Sequence, residues 1–317
     1  MTDARVPSAA LLSVLLLAGL AGGCGDDTTS QPSGGAGGGA GGAGGAAGGD
    51  GPGGSGAGAS GGGGSSGDGG AGGATGSEGC GVAASDPPET WTLKTVEVAG
   101  ATREYFVYLP AGYDPLLPYP IVYQFHGCSS SPDKQNNNVP IEGQAAGAAI
   151  VVRGRAVGDC WDTNANGPDV SFFDAMVDVM EQGYCADPER RLVTGYSSGA
   201  FMTHVLSCQR GDRIRGVASI AGGQGGSGCT GTVAALLIHD ENDGTVNIGA
   251  SEAARDRYLA ENGCDSTTTA YEPAPCVQYA GCDAGLPVVW CQTTGQNHSR
   301  QDGLAAPAFW GFLSSLP

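Results

Sequence analysis

The chain has 317 residues and a formal charge of −18, from 14 Lys+Arg against 32 Asp+Glu. The charges are dispersed and form no acidic tail, which argues against nucleic acid and anionic lipid as partners and leaves a neutral substrate open. Eleven cysteines, four histidines and no Cys-x-x-Cys pair read as disulfides in an exported protein rather than as zinc ligands. No metal and no cofactor is expected.

Three stretches of different composition follow one another. Residues 1–23 read as a signal peptide: Arg5 precedes an apolar run over Ala9–Ala21, shorter than the roughly 20 residues a membrane span needs. Cys24 directly follows Leu20-Ala21-Gly22-Gly23. This is similar to a bacterial lipoprotein cleavage box, so Cys24 is the expected lipidation site and membrane anchor. The expected location is then the cell envelope, or outside the cell if the chain is released. Residues 24–79 form a tether: of the 48 residues in 32–79, 27 are Gly, 9 Ala and 6 Ser. No apolar periodicity offsets the entropy of ordering them. A coil of that kind reaches roughly 40 Å. Residues 80–317 are expected to form a single domain, with 13 Lys+Arg and 26 Asp+Glu, a net −13. They are enough for one large core, expected as a monomer.

Within the domain, Trp91–Val98 and Glu104–Leu109 alternate apolar and polar residues, as a hairpin at a sheet edge does. Tyr119–Phe125 is nearly continuously apolar, the pattern of a buried parallel strand. Ala149–Val152 is a further short strand. Val170–Gln182 places Val170, Phe173, Val177 and Met180 at helical spacing. Arg191–Thr194 is a strand and Ser198–Cys208 a helix. Val217–Ile220 and Val233–Ile238 are strands, Ala250–Leu259 a helix, Pro287–Cys291 a strand and Ala306–Leu313 a closing helix. Alternating strands and helices predict an α/β fold with a mostly parallel sheet covered on both faces. Residues 221–232 leave no room for a large lid domain.

Gly-x-Ser-x-Gly occurs at Gly195–Gly199, and also at Gly58–Gly62 and Gly63–Gly67 inside the tether. Only Ser197 has an apolar strand leading in and a helix-forming stretch leading out. That strand-to-helix turn holds the hydroxyl exposed at a helix N-terminus. A serine needs a base, and in the α/β-hydrolase fold, the expected class for such a turn, the order is Ser, acid, His. Downstream lie His204, two turns into the helix, His239, which precedes the acid candidates, and His298, in a loop after a strand. By elimination His298 is the expected base. The acid belongs in the loop His239–Val246, where Asp243 before Gly244 is the first choice and Asp240 the runner-up; each also suits a plain turn residue. An oxyanion hole needs two backbone N–H groups, expected from Ser198 and from Cys128 in the loop after Phe125. His126 is expected to be structural. Trp161 can stack on a sugar or aromatic ring of the substrate or fill the core.

With these residues in view, the chain resembles the secreted esterases that include feruloyl esterases, acetylxylan esterases and short polyhydroxybutyrate depolymerases, the carbohydrate esterase family 1-like group. The matching pieces are Leu109–Asp114, His126-Gly127-Cys128, Cys160-Trp161-Asp162, Asp169–Asp178 and Tyr184–Pro188. Further on they are Gly195–Met202, His239–Val246, Asn262-Gly263-Cys264 and Val288–Cys291. They span nearly all of residues 90–300 in order. The family's triad falls on Ser197, Asp243 and His298. One stretch departs: the family often has Gly-Gly-His followed by Trp-Pro, where this chain has Gln296-Asn297-His298-Ser299-Arg300. The resemblance implies hydrolysis of feruloyl or acetyl esters on plant polysaccharide. A polyhydroxybutyrate depolymerase, or a non-catalytic surface binding protein on the same fold, is the alternative. Topology places Cys128 and Cys160 after neighbouring strands at the carboxyl end of the sheet, so a bridge there is expected. Cys185 and Cys208 each follow a helix and are the candidate pair at the opposite end.

Overall fold

The computed structural model describes residues 76–317; the expected signal peptide, Cys24 and the tether up to residue 75 lie outside the described residues. Ser77 N–H donates to Ala186 O and Gly79 N–H to Glu181 O, both at 2.8 Å. Ordered pairing therefore reaches into the last residues that composition assigns to the tether.

Ten strands form one sheet in the order β1-β2-β4-β3-β5-β6-β7-β10-β9-β8. An antiparallel hairpin forms one edge, β1 (Trp91–Val98) with β2 (Ala101–Tyr108). It closes through Ala99 and Gly100, at φ 50° and 82°, the left-handed pair that a two-residue turn between twisted strands demands. The parallel centre is β4 (Ile150–Gly154), β3 (Tyr119–Phe125), β5 (Ala186–Tyr196), β6 (Gly216–Ile220), β7 (Ala234–Asp240) and β10 (Val288–Thr293). At the far edge sit two three-residue antiparallel strands, β8 (Thr268–Ala270) and β9 (Val277–Tyr279). The expected fold class is the observed one.

Every residue of β3 is buried because successive side chains feed two cores. Ile121, Tyr123 and Phe125 join the face covered by α1 (Pro168–Gly183), α2 (Ser198–Gln209) and α3 (Gly249–Glu261). Val122 joins the opposite face, covered by α4 (Asp302–Ser314) and the segment 139–149. The connection from β6 to β7 is only residues 221–233, so no lid domain rises there.

Five disulfides brace the domain. Cys128–Cys160 forms as topology predicts. The expected Cys185–Cys208 pair does not: the bridges are Cys80–Cys185 and Cys208–Cys229, with Cys264–Cys282 and Cys276–Cys291 completing the set. Nearer partners explain the correction. Residues 77–80 run along the start of β5 and deliver Cys80. The β6–β7 connection returns through Thr230, whose N–H donates to Cys208 O at 2.8 Å, and so delivers Cys229.

Candidate active site

Ser197 stands between β5 and α2 with φ 53° and ψ −118°, a left-handed conformation that a non-glycine residue adopts only under constraint. Flanking glycines permit it. A Cβ on Gly195 would lie 2.1 Å from Gly199 O, and one on Gly199 would lie 1.8 Å from Phe125 O. No side chain fits at either position, so the helix start can press against the end of β3. Ser197 N–H is fixed to Ile220 O at 3.0 Å.

His298, in the loop after β10, faces this hydroxyl: Nε2 is 2.9 Å from Ser197 Oγ, and Nδ1 is 2.7 Å from Asp243 Oδ2. A carboxylate only accepts, so Nδ1 carries the proton and Nε2 is left as the acceptor for the serine O–H. Asp243's side chain is fully buried, while His298's keeps 18 % exposure. Asp243 Oδ1 accepts N–H groups of Val246 and Thr245 at 2.9 and 2.8 Å. Burial raises its pKa, but these donors and His298 outweigh that and hold it below the usual carboxylate range. His239 stands behind the acid, its Nε2 3.4 Å from Asp243 Oδ2 and 2.9 Å from Val246 O.

The runner-up acid, Asp240, is engaged by other groups than the His298 ring. Its carboxylate accepts Gln296 N–H and Asn297 N–H, Thr293 Oγ–H and Asn242 N–H. The other histidines serve the core. His126 Nε2 accepts Ala156 N–H at 3.1 Å and its Nδ1 donates to Gly127 O at 2.7 Å. Burial pushes its pKa down to about 4. His204 lies between Tyr258 Oη and Ser219 Oγ, and burial pushes it down to about 3.

Around the expected oxyanion donors the backbone is well anchored. Gly127 N–H donates to Asn137 O at 3.1 Å and Ser129 N–H to Asp159 O at 2.9 Å. Among the described residues, Cys128 N–H between them and Ser198 N–H donate to no backbone acceptor. The Cys128–Cys160 bridge joins this loop to the next, where Trp161 N–H donates to Ser198 Oγ at 2.9 Å. Trp161 itself needs a correction. Its indole is only 5 % exposed, packs edge-on against Phe125 and parallel to Phe172, and donates Nε1–H to His126 O at 2.9 Å. No ring face is left for a substrate.

Three contributors carried no recognisable sequence signal. Tyr196 lays its ring 5.5 Å from that of His298 and donates its hydroxyl to His298 O at 3.3 Å. Arg300 donates to Asn136 O and Asn138 O at 3.0 and 3.1 Å, tying the His298 loop to the loop after β3. Phe201 and Val205 on α2, with Thr163, Gln209 and the segment 223–226, line a cleft of about 180 Å³. Gly222, the neighbour of the lining residue Gly223, packs so closely on Ser197 that a Cβ there would lie 2.7 Å from Ser197 O. Among the described residues no group of His, Cys, Asp and Glu is arranged to hold a metal ion.

A nucleophile turn, a bridging histidine and a buried carboxylate on this sheet suit acyl transfer through an activated serine. No protein-family model matches the chain. Feruloyl esterase D of Neurospora crassa is 32 % identical over 246 residues, covering 69 % of this chain and 84 % of that protein. Feruloyl esterase C of Emericella nidulans is 33 % identical over 174 residues, covering 52 % of this chain and 64 % of that protein. Among solved structures, acetyl xylan esterase from Aspergillus awamori shares the fold. It has a TM-score of 0.57 at 18 % identity, over 70 % of this chain and 99 % of that one. The chain therefore belongs to the feruloyl esterase family and is a carboxylic ester hydrolase on the α/β-hydrolase fold.

Proposed function

We propose that this esterase cleaves feruloyl or acetyl esters on plant polysaccharide through an acyl-enzyme on Ser197. The observation that carries the reading is the position of His298, 2.9 Å from Ser197 Oγ and 2.7 Å from Asp243 Oδ2. Ser197 Oγ attacks the ester carbonyl as His298 Nε2 takes its proton. Cys128 and Ser198 N–H groups receive the developing oxyanion, and His298 returns the proton to the leaving alcohol. Water then repeats the sequence on the acyl-enzyme. Asp243 keeps the proton on Nδ1 throughout.

The cleft beside Phe201 and Val205 supports an aromatic acyl group. Its apolar wall suits a ring, and Thr163, Gln209 and Gln224 offer polar atoms for ring hydroxyl and methoxy groups. The lidless rim suits a polymer, a sugar chain or a hydroxybutyrate polyester. Five disulfides support export to an oxidising compartment, with residues 1–23 as the signal and Cys24 as the lipid anchor. Ser77 pairs at the start of β5 and Ser197 follows its end, roughly 35 Å apart at about 3.3 Å per residue. An anchored domain can thus present its site away from the membrane. Methyl ferulate, p-nitrophenyl acetate and a 3-hydroxybutyrate oligomer, assayed beside Ser197→Ala, test the reading. Retained turnover in that variant removes the nucleophile, and preference for the oligomer removes the polysaccharide ester.

A further inference from the structure

The loop that presents His298 turns through two left-handed backbone positions. Gly295 has φ 74° and Asn297, directly before His298, has φ 53°, both in the left-handed region. Outside, the loop is stitched by exposed groups: Thr294 Oγ–H donates to Glu241 Oε1 at 2.9 Å and Gly295 N–H to Asn242 Oδ1 at 3.0 Å. Water competes for such bonds.

Inside, one buried carboxylate gathers the turn. Asp240 is 1 % exposed. Its Oδ2 accepts Gln296 N–H at 2.9 Å and Thr293 Oγ–H at 3.0 Å; its Oδ1 accepts Asn297 N–H at 3.1 Å and Asn242 N–H at 3.0 Å. Four donors thus converge on two oxygens, two of them from the residues immediately before His298. We propose that Asp240 is a positioning residue, an anionic latch that fixes the His298 loop and so holds Nε2 on Ser197 while Asp243 orients Nδ1. The proposal rests on the reading of Ser197, His298 and Asp243 as the reacting set.

Only an acceptor on both sides fits this site. An amide in place of the carboxylate turns its NH₂ toward two donors, one of them a backbone N–H that cannot rotate away, and the loop must give. The same donors hold the Asp240 carboxyl below its usual range although burial raises it. Asp240 is 1 % exposed and both its oxygens are taken up by the protein's own donors, so no side of the carboxylate is left for the ester. Its loss should therefore act on turnover and not on substrate binding.

The test is Asp240→Asn with p-nitrophenyl acetate, beside Ser197→Ala and Asp243→Asn. The expected result is a kcat lowered about ten- to a hundredfold, the cost of a displacement near 1 Å in the reacting geometry, with KM within about twofold. The low-field proton resonance of the His298 Nδ1–H···Asp243 hydrogen bond should broaden or vanish in a variant that still unfolds cooperatively. A merely structural role would leave that resonance in place. Wild-type kcat, an unchanged resonance, or a loss as large as that of Asp243→Asn each overturns the latch; the last would make Asp240 a member of the reacting set. Should Asp240→Asn fail to fold, Thr293→Val removes a single donor to the latch. A several-fold drop in its kcat at constant KM is expected, and wild-type kcat overturns the proposal. Turnover surviving in Ser197→Ala instead overturns the nucleophile, and the latch with it, a result readable without any Asp240 variant.

Discussion

Replacing Gly199 by alanine tests the physical basis of the nucleophile turn with a single methyl group. The new Cβ would stand 1.8 Å from Phe125 O, 2.3 Å from Phe125 C and 2.8 Å from His126 O. All three are backbone atoms, so no side chain can swing aside. Contacts of this kind below 3.0 Å are not tolerated, so the start of α2 and the end of β3 must part by at least 1.2 Å (3.0 − 1.8). If Ser197 withdraws with its helix, the 2.9 Å contact to His298 opens beyond hydrogen-bond reach. A displacement near 1 Å costs about a hundredfold in rate. Overpacking of a rigid site costs about 1–3 kcal/mol, or a Tm lower by roughly 2–10 °C for a domain of this size. The assay is kcat/KM on p-nitrophenyl acetate together with thermal unfolding. Gly183→Ala, where an added Cβ meets nothing within 4 Å, serves as the control expected to behave as wild type. A Gly199→Ala protein that keeps more than half of its kcat/KM and its Tm would refute the steric argument.

Asp243→Asn should lower kcat by up to ~10⁴, since the imidazole then loses the acceptor that fixes its tautomer; a loss below tenfold would move the acid elsewhere. Replacing Cys128 and Cys160 together by alanine frees a loop with a sequence separation of 32. The chain-entropy estimate is about 3–4 kcal/mol, and turnover should fall at temperatures where the domain is still folded; an unchanged Tm and kcat would show that the bridge orders nothing. Stability should also fall between pH 6.5 and 4. Burial holds His126 at about 4 and His204 at about 3, so in that window the unfolded chain binds the protons and the native state does not. Each histidine contributes a loss of about 2 kcal/mol by pH 5. Asp240 and Asp243 have depressed values. Their stabilisation is present above the unfolded carboxylate range and is lost as pH falls from there through the depressed folded values, so they add almost nothing between pH 7 and about pH 5. Urea unfolding at pH 7 and 5 measures the difference, and equal midpoints would contradict it.

Periodicity revealed the parts of the fold that obey it. A run buried on both faces, as in β3, has to be apolar throughout, and the hairpin edge has to alternate; both patterns survive in single-residue detail. β8 and β9 are three residues each, exposed or half-buried, too short for any period and held by the bridges of Cys264 and Cys276 instead. The first half of β5 was hidden by Pro188-Glu189-Arg190, where pairing to β3 shifts register between Tyr119 and Ile121. Disulfide partners follow from which loop arrives nearest. The arrival of residues 77–80 at β5 lay beyond reach because that segment has the composition of the tether. The site was legible where chemistry restricts residue type: a serine between two glycines and a histidine late in the chain. Trp161 stays open between substrate and core in the sequence because an aromatic beside a disulfide near an active site looks the same whether its ring faces solvent or Phe172.

The two aspartates of the β7 loop show where such reading stops. Both accept backbone N–H groups from two or three residues onward on one oxygen, Asp240 from Asn242 and Asp243 from Thr245 and Val246. That is the local bond expected of any turn aspartate, so neither spacing nor residue type separates them. They differ in what the second oxygen meets. Asp243 Oδ2 is left to His298 Nδ1, whereas Asp240 Oδ2 is taken by Gln296 N–H and Thr293 Oγ–H. Both carboxylates are held ionised by the same kind of donors, and both act on one histidine. One meets its ring, and the other meets the backbone that carries it. Their variants should therefore differ in kind as well as in size. Asp243→Asn leaves the ring in place with the wrong tautomer. Asp240→Asn leaves the Asp243 carboxylate in place, and the ring displaced from it.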